Sequence, residues 1–178
     1  MALEIERKYL IRIKNEKGLI ESSPDTAIKE IVQTYLKCYE AGREKRIRQV
    51  YNKKEDETTY YFTSKTSVNN RNIEKDPLVR VEEEDRIDLQ QYRLLLKQKD
   101  PETDTIEKVR ICIPYQGLLL EIDKYKWWND SNIAMMEVEL ECEDTQVKFP
   151  EEYIEVIKEV TYDKRFKNNA LAKNHNVI

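Results

Sequence analysis

The feature that most constrains the fold of this chain is a row of ionisable side chains at every second position. Glu4, Glu6 and Lys8 form such a row near the N-terminus, with apolar or aromatic residues such as Ile5 and Tyr9 alternating on the other face. A period of two is typical of a β-strand, because successive side chains point to opposite faces. Glutamate and lysine are poor strand formers. The strand therefore has one apolar face and one charged face.

The same pattern recurs in most of the later strands. On the charged faces of the predicted strands, acidic pairs at i and i+2 occur four times and basic pairs occur twice. The later charged positions are Arg46, Arg48, Lys65, Arg80, Glu82, Glu84, Lys108, Arg110, Glu121, Asp123, Glu137 and Glu139. An open sheet with one face in water would place these groups on the surface. A barrel of eight antiparallel strands would place them in a wet interior, where they must pair with each other or with a ligand.

Other elements are predicted between and after these strands. The spacing predicts a polar loop over residues 14–25 and then a short helix over residues 27–30. Asp88 is expected to cap a helix over residues 89–98. Apolar residues at helical spacing predict an amphipathic helix over residues 150–160, and Asp163 is expected to cap a last short helical segment.

The composition narrows the classes of function. The 178 residues suit one domain over 1–178. A net charge of −4 makes no strong case for nucleic acid. No apolar run approaches the roughly 20 residues of a membrane span, so no membrane partner is expected. Three widely spaced cysteines indicate reduced thiols and a cytoplasmic protein.

Two scarce residue types narrow the chemistry further. The chain has one histidine, His175, which argues against a histidine-based triad or a histidine-rich zinc site. Its three glycines are far apart, so a P-loop or a dinucleotide fingerprint is absent. A phosphate group would therefore be bound mainly by side chains.

The order of the charged positions resembles the CYTH domain, also called the triphosphate tunnel metalloenzyme family. The most specific part is Glu4-x-Glu6-x-Lys8, and the other pairs follow in the family's order, as does the C-terminal stretch over residues 163–172. The resemblance covers nearly the whole chain. It implies an α+β fold, an eight-stranded antiparallel β-barrel that forms a tunnel with a charged lumen, with helices packed outside.

The resemblance also implies a function. The leading expectation is a metal-dependent hydrolase of a triphosphate-bearing small molecule, with inorganic triphosphate first and Mg²⁺ or Mn²⁺ as cofactor. The alternatives are a class IV-type adenylate cyclase, a thiamine-triphosphatase, and a non-catalytic binder of polyphosphate or triphosphorylated RNA. The intact acidic pairs argue against the binder. No adenine signature is found, although four aromatic residues could stack a base: Tyr61, Tyr92, Trp127 and Trp128. A homodimer is compatible with the resemblance.

The resemblance assigns roles to individual residues. Those expected to bind phosphate are Arg46, Arg48, Lys65, Lys97, Lys108 and Arg110. Those expected to bind metal are Glu4, Glu6, Glu82, Asp123, Glu137 and Glu139. Those expected to act in catalysis are Lys8, Glu82 and Asp123, with Lys8 gripping phosphate or orienting a water and the acids holding a second metal that activates it. Arg80 and Arg165 are expected to be structural ion-pair partners.

Overall fold

The computed structural model describes residues 2–67 and 79–178, and it describes the side chains of residues 5–67 and 81–178. The segment over residues 68–76 and the side chains of Glu4 and Arg80 lie outside the described parts. In the described parts the sheet has nine strands: β1 (Ala2–Ile13), β2 (Ala27–Tyr35), β3 (Arg43–Asn52), β4 (Glu57–Ser67), β5 (Val79–Ile87), β6 (Ile106–Tyr115), β7 (Leu118–Tyr125), β8 (Ile133–Glu139) and β9 (Ile154–Glu159). The helices are α1 (Glu16–Glu21), α2 (Leu89–Leu96), α3 (Asn168–Lys173) and a 3-10 turn, Lys164–Phe166.

The strands pair antiparallel in the order β5-β4-β3-β2-β6-β7-β8-β1-β9. The long strand β1 contacts three others. Residues 2–5 pair with residues 79–82 of β5, residues 6–12 pair with β8, and residues 9–13 pair with β9. The result is a mostly antiparallel sheet with few helices, which is the coarse architecture that the sequence predicts.

The predictions of a helix over residues 27–30 and of another over residues 150–160 are both wrong. Residues 27–30 begin β2, because pairing with β3 and β6 outweighs the weak helical tendency of so short a segment. The second segment contains β9, which pairs with β1 and buries Ile154. Its β-branched residues Ile154, Val156 and Ile157 favour a strand over a helix.

The predictions for the other helical elements had mixed outcomes. The segment predicted as a loop contains α1, whose N-cap Asn15 accepts a hydrogen bond from the backbone N–H of Gly18. Asp88 caps α2 as predicted and forms a reciprocal capping box with Gln91. Asp163 caps the 3-10 turn by accepting from the backbone N–H of Arg165.

Three apolar clusters stabilise the sheet: the first and third lie on the face opposite to the charged one, and the second lies on the charged face beside the cavity. The largest joins the four strands β1, β6, β7 and β8 with Leu19 of α1. The second packs Phe166 and Leu171 of the C-terminal segment on Tyr125. The third packs Tyr92 of α2 on Ile47 of β3. Because side chains alternate along a strand, burial of the first and third clusters leaves the charged row on the other face. None of the described helices is long and apolar enough to cross a membrane.

Candidate active site in a charged cavity

The charged face of the sheet surrounds a cavity of about 340 Å³. Its basic lining residues are Lys8, Lys29, Arg46, Arg48, Lys65, Lys108, Arg110 and Lys167. Its acidic lining residues are Glu6, Glu44, Glu82, Glu84, Glu121, Glu137, Glu139 and Asp163. Acidic and basic groups are thus balanced in the described part of the lining, and the cavity is highly charged without a strong net charge.

Strand register brings these side chains together. Lys8 of β1 lies opposite Glu137 of β8, and Glu6 lies opposite Glu139 two residues away. Glu121 of β7 lies opposite Glu137 on its other side. Directly opposed side chains on one face of a sheet are about 5 Å apart at Cβ. The alternation seen in the sequence therefore becomes a continuous charged wall.

Arg110 joins three carboxylates at one side of the cavity. Its Nε and Nη2 atoms donate to Asp123 at 2.6 and 2.8 Å, its Nη1 donates to Glu121 at 2.7 Å, and its Nη2 also contacts Glu137 at 2.9 Å. Burial alone would lower the pKa of Arg110, but these carboxylates, Asp123 foremost, raise it well above its usual value. The guanidinium group is therefore held in place before any ligand binds.

Lys108 lies beside Arg110 and shares its partner. The Lys108 Nζ atom lies 2.5 Å from an Asp123 carboxylate oxygen, and both side chains are almost fully buried. Burial and the nearby Arg110 charge lower the pKa of Lys108 to about 8, although Asp123 opposes the shift. Lys108 consequently loses its charge at a lower pH than an ordinary lysine.

Lys8 is held by acids on two strands. Its Nζ atom lies 2.8 Å from Glu137 and 3.6 Å from Glu6. Burial lowers the pKa of Lys8, but Glu137 and Glu6 together raise it above its usual value. Burial raises the pKa of Glu137, but Lys8 and Arg110 bring it well below its usual range. Both groups are charged at neutral pH.

The opposite side of the cavity carries two arginines and a lysine from β3 and β4. Glu82 lies 2.8 Å from Lys65 Nζ and 3.7 Å from Arg46 Nη2, and Arg48 pairs with Glu84. The Nε–H groups of Arg46 and Arg48 are buried and have no hydrogen-bond partner in the described parts of the chain. A buried donor without a partner costs free energy, so both groups are suited to an added acceptor such as a phosphate oxygen.

Gln33 and Tyr35 of β2 also line the cavity and were not predicted from the sequence. The Gln33 Nε2 atom donates to the Tyr35 hydroxyl at 3.0 Å, and both side chains are buried. They lie on the same face of β2 as Lys29, which is four residues before Gln33 and six before Tyr35. Gln33 and Tyr35 alternate in the sequence, but the helix predicted over residues 27–30 separated them from Lys29.

The C-terminal segment adds uncharged groups to the lining. Asn168 Nδ2 donates to Glu137 at 3.3 Å, and Asn169 Nδ2 donates to Glu44 at 2.8 Å. Asn168 in turn accepts from the Tyr125 hydroxyl at 2.5 Å. The resemblance included this stretch over residues 163–172 but assigned no binding role to Asn168 or Asn169.

The structure brings most of the predicted phosphate-binding residues together, with one exception. Arg46, Arg48, Lys65, Lys108 and Arg110 all line the cavity, as does the predicted catalytic residue Lys8. Lys97 does not: it is an exposed residue at the C-cap of α2, which packs on the apolar face. The prediction for Lys97 is therefore corrected.

Four of the six acidic residues predicted to bind metal line the described part of the cavity. The carboxylates that reach the cavity are Glu6, Glu82, Glu137 and Glu139. Asp123 does not reach the lining: its side chain is fully buried, and both its oxygens accept from Arg110 or Lys108. Asp123, predicted to bind metal and act in catalysis, therefore lies beneath the cavity wall as the shared counter-ion of these two cations.

Of the aromatic residues that could stack a base and the described arginine expected to form a structural ion pair, only Tyr61 lines the cavity. Tyr92, Trp127 and Trp128 pack in or against the apolar clusters. Tyr61 lines the cavity, with its ring centre 5.9 Å from the Arg48 guanidinium carbon. Arg165 pairs with Asp163 at 2.6 Å and is largely exposed, as expected for a structural partner.

Four carboxylates lie near one another in the cavity lining: those of Glu6, Glu82, Glu121 and Glu139. Partial burial raises the pKa of Glu139. The nearby carboxylates of Glu121, Glu6 and Glu82 raise it further, because their negative charges disfavour ionisation of Glu139. Oxygen donors crowded in this way are the ligands that a hard divalent cation prefers. Among the described residues, no three such side chains are grouped closely enough to hold a metal ion.

Comparison with solved structures gives related folds. The structure of the inorganic triphosphatase NE1496 is 28% identical to this chain, covers 97% of it and 96% of its own chain, and superposes with a TM-score of 0.57. A conserved hypothetical protein from Pyrococcus furiosus is 22% identical over 84% of this chain and 83% of its own, with a TM-score of 0.52. A chain of the Schizosaccharomyces pombe Mediator head module shares the fold at 8% identity over 83% of this chain and 86% of its own, with a TM-score of 0.51.

No protein-family model matches the chain, and no curated protein sequence matches it significantly. The fold and the charged cavity nevertheless define a class: an antiparallel sheet protein whose charged face forms a cavity suited to a polyanion. The resemblance to the CYTH domain, or triphosphate tunnel metalloenzymes, that the sequence predicts is confirmed by the structural neighbours.

Proposed function

We propose that the protein is a divalent-metal-dependent triphosphatase that hydrolyses inorganic triphosphate. The observation that carries the proposal is the pair of buried Nε–H groups on Arg46 and Arg48, which have no acceptor in the described parts of the chain. They lie in a cavity that also holds Lys8, Lys65 and Arg110. A triphosphate supplies several acceptor oxygens and negative charges at once. The likeness to the inorganic triphosphatase NE1496 supports this substrate.

The proposal includes the tunnel architecture for a single domain over 1–178. The pairing of β1 with both β5 and β8 supports a sheet that closes on itself as an eight-stranded barrel, with β9 outside the ring. Closure would protect the edges of β5 and β1. It would also surround the substrate with charged side chains.

The basic residues would bind and orient the phosphates. The Arg46 and Arg48 guanidinium groups would make forked contacts to phosphate oxygens. Lys8, Lys65 and Lys108 would add point charges, and Arg110 would remain fixed by Asp123. Spreading the substrate's charge over several cations lowers the barrier to attack at phosphorus.

The donor set fits a divalent cation, Mg²⁺ or Mn²⁺. Glu6, Glu82, Glu137 and Glu139 line the cavity, and the raised pKa of Glu139 reflects carboxylates crowded together. Glu4 would join them by the resemblance. When bound, the cation would supply charge neutralisation and acidify a water molecule. Glu82 contacts Arg46 and Lys65 and so links the acidic and basic parts of the cavity.

One assay compares the candidate functions. The purified protein is given inorganic triphosphate, thiamine triphosphate and ATP with Mg²⁺ or Mn²⁺, and phosphate, pyrophosphate and cyclic AMP are measured. Phosphate and pyrophosphate released fastest from inorganic triphosphate are expected. Cyclic AMP with pyrophosphate from ATP would establish the cyclase instead, and binding of triphosphate without turnover of any substrate would establish a binder.

A matched pair of variants links turnover to the cavity. Glu6→Gln is expected to abolish turnover and to keep the wild-type circular dichroism spectrum, because it removes a carboxylate at a partly exposed position. Glu141→Gln, an exposed residue two positions beyond Glu139, is the control. A Glu6→Gln variant with wild-type turnover would contradict the proposed metal ligand.

A further inference from the structure

Lys29 lines the cavity without an ion-pair partner in the described parts of the chain. Its neighbours differ in this respect: Lys8 lies 2.8 Å from Glu137, and Lys65 lies 2.8 Å from Glu82. Lys29 is half-buried. A partly buried positive charge with no carboxylate of the described residues within ion-pair distance is suited to an anion that arrives from outside.

The position of Lys29 extends the basic wall of the cavity along β2. Lys29 lies directly opposite Arg110 of β6, and Gln33 lies opposite Arg48 of β3. The four-residue step from Lys29 to Gln33 spans about 13 Å along the strand. Between them the lining carries the apolar side chain of Ile31. Lys29 therefore offers a separate cation at one end of the row, away from the cations around Arg46.

Resting on the proposed triphosphatase function, we propose that Lys29 determines the number of phosphates that the enzyme prefers. Lys29 would contact an end phosphate of triphosphate while Arg46 and Arg48 hold the other end. Pyrophosphate is one phosphate shorter and would occupy the Arg46 end without reaching Lys29. A lysine that is simply solvated at the rim would affect anions of both lengths alike.

The test uses Lys29→Met, which keeps the length of the aliphatic chain and removes the charge. The KM for triphosphate should rise by about tenfold or more, as for loss of a charged hydrogen bond. The kcat at saturating substrate should stay within about twofold, because this contact holds substrate and transition state alike. The inhibition constant of pyrophosphate should also stay within about twofold. Lys29→Arg keeps the charge and should restore most of the affinity.

Lys53→Met is the matched control. Lys53 follows the last residue of β3 and pairs with Glu30 of β2 at 3.1 Å, and it does not line the cavity. Its variant should leave the KM and the inhibition constant at wild-type values. An unchanged KM for triphosphate in Lys29→Met would overturn the proposal, and so would equal losses for triphosphate and pyrophosphate.

The outcome separates this proposal from the proposed function. If the wild-type protein binds triphosphate but does not hydrolyse it, the proposed function is wrong, and the dissociation constants of triphosphate and pyrophosphate replace KM and the inhibition constant. A tenfold loss for triphosphate with unchanged pyrophosphate binding still supports Lys29 as the length-determining residue. Equal binding by wild type and Lys29→Met contradicts it.

Discussion

Arg110 and Asp123 face each other across β6 and β7 through two parallel hydrogen bonds, Nε to Oδ1 at 2.6 Å and Nη2 to Oδ2 at 2.8 Å. The same carboxylate accepts from Lys108. Asp123 is fully buried and does not line the cavity. One buried anion therefore fixes two of the cations that are proposed to bind phosphate.

Removing that anion should destabilise the fold. Asp123→Asn leaves Arg110 and Lys108 buried without their shared counter-charge, and breaking a buried ion pair from one side costs about 3–5 kcal/mol. Urea denaturation followed by circular dichroism measures the change in the free energy of unfolding. Glu121→Gln is the comparison, since Glu121 is partly exposed and contacts Arg110 through one hydrogen bond. Its loss should be about 1 kcal/mol, and equal losses in the two variants would contradict the role given to Asp123.

The sequence predicted the charged interior better than it predicted the secondary structure. Alternation at Glu6 and Lys8 is a local pattern that survives folding, because the register of a strand preserves its two faces. The strand over residues 27–30 could not be predicted in this way, because its pairing with β3 and β6 is made by residues far away in sequence.

The sequence also did not predict which charged residues line the cavity and which are buried beneath it. Asp123 and Glu137 have the same kind of neighbours in the sequence, an acid two positions away. In the structure, Glu137 reaches the cavity and Asp123 lies beneath Arg110 and Lys108. Burial depth depends on the packing of β6 against β7, which no motif encodes.

Substitution of lysine for Arg48 should weaken substrate capture. Lysine keeps the positive charge but lacks the Nε–H group that is buried without a partner in the described parts of the chain, and it cannot make a forked contact. We expect kcat/KM for triphosphate to fall by about tenfold or more, which corresponds to about 1.4 kcal/mol. Steady-state kinetics with Mg²⁺ measures it.

The control for that experiment is Arg12→Lys. Arg12 pairs with Asp130 at 3.2 Å on the surface, and its side chain is 45% exposed. Because exposed ion pairs contribute little and Arg12 does not line the cavity, kcat/KM should remain at the wild-type value. A wild-type value in Arg48→Lys as well would show that charge alone is sufficient at position 48.

Triphosphate binding should be linked to protonation of Lys108. Burial and the Arg110 charge lower the Lys108 pKa to about 8, so part of the population is neutral at pH 8.5. A bound polyanion favours the charged form and raises the pKa, so binding takes up protons and weakens as the pH rises above about 8. Calorimetry at pH 8.5 in metal-free buffers of different ionisation enthalpy measures the proton uptake.

Lys108→Met separates this effect from protonation of triphosphate itself. The variant retains the ligand's own proton exchange and loses that of Lys108, so its proton uptake should be smaller than that of the wild type. At pH 6.5, where Lys108 is already charged, the two proteins should differ much less. Equal uptake at pH 8.5 would show that Lys108 is not the group that titrates.

The ion pairs of the cavity should compete with triphosphate for the basic residues. Glu82 lies 2.8 Å from Lys65 and 3.7 Å from Arg46, so a phosphate that binds these cations must displace or approach a carboxylate. Glu82→Gln removes the competing charge and keeps the shape of the side chain. In metal-free buffer, triphosphate should therefore bind this variant about fivefold more tightly than the wild type, a gain of about 1 kcal/mol.

Turnover should change in the opposite direction, because Glu82 is also a proposed metal ligand, and its loss is expected to reduce hydrolysis with Mg²⁺ despite the tighter metal-free binding. Glu83→Gln is the control: Glu83 is the next residue of β5, is exposed and does not line the cavity. Calorimetry with chelator present and steady-state kinetics with Mg²⁺ measure the two effects. Weaker metal-free binding by Glu82→Gln would mean that Glu82 orients Arg46 and Lys65 for phosphate instead of competing with it.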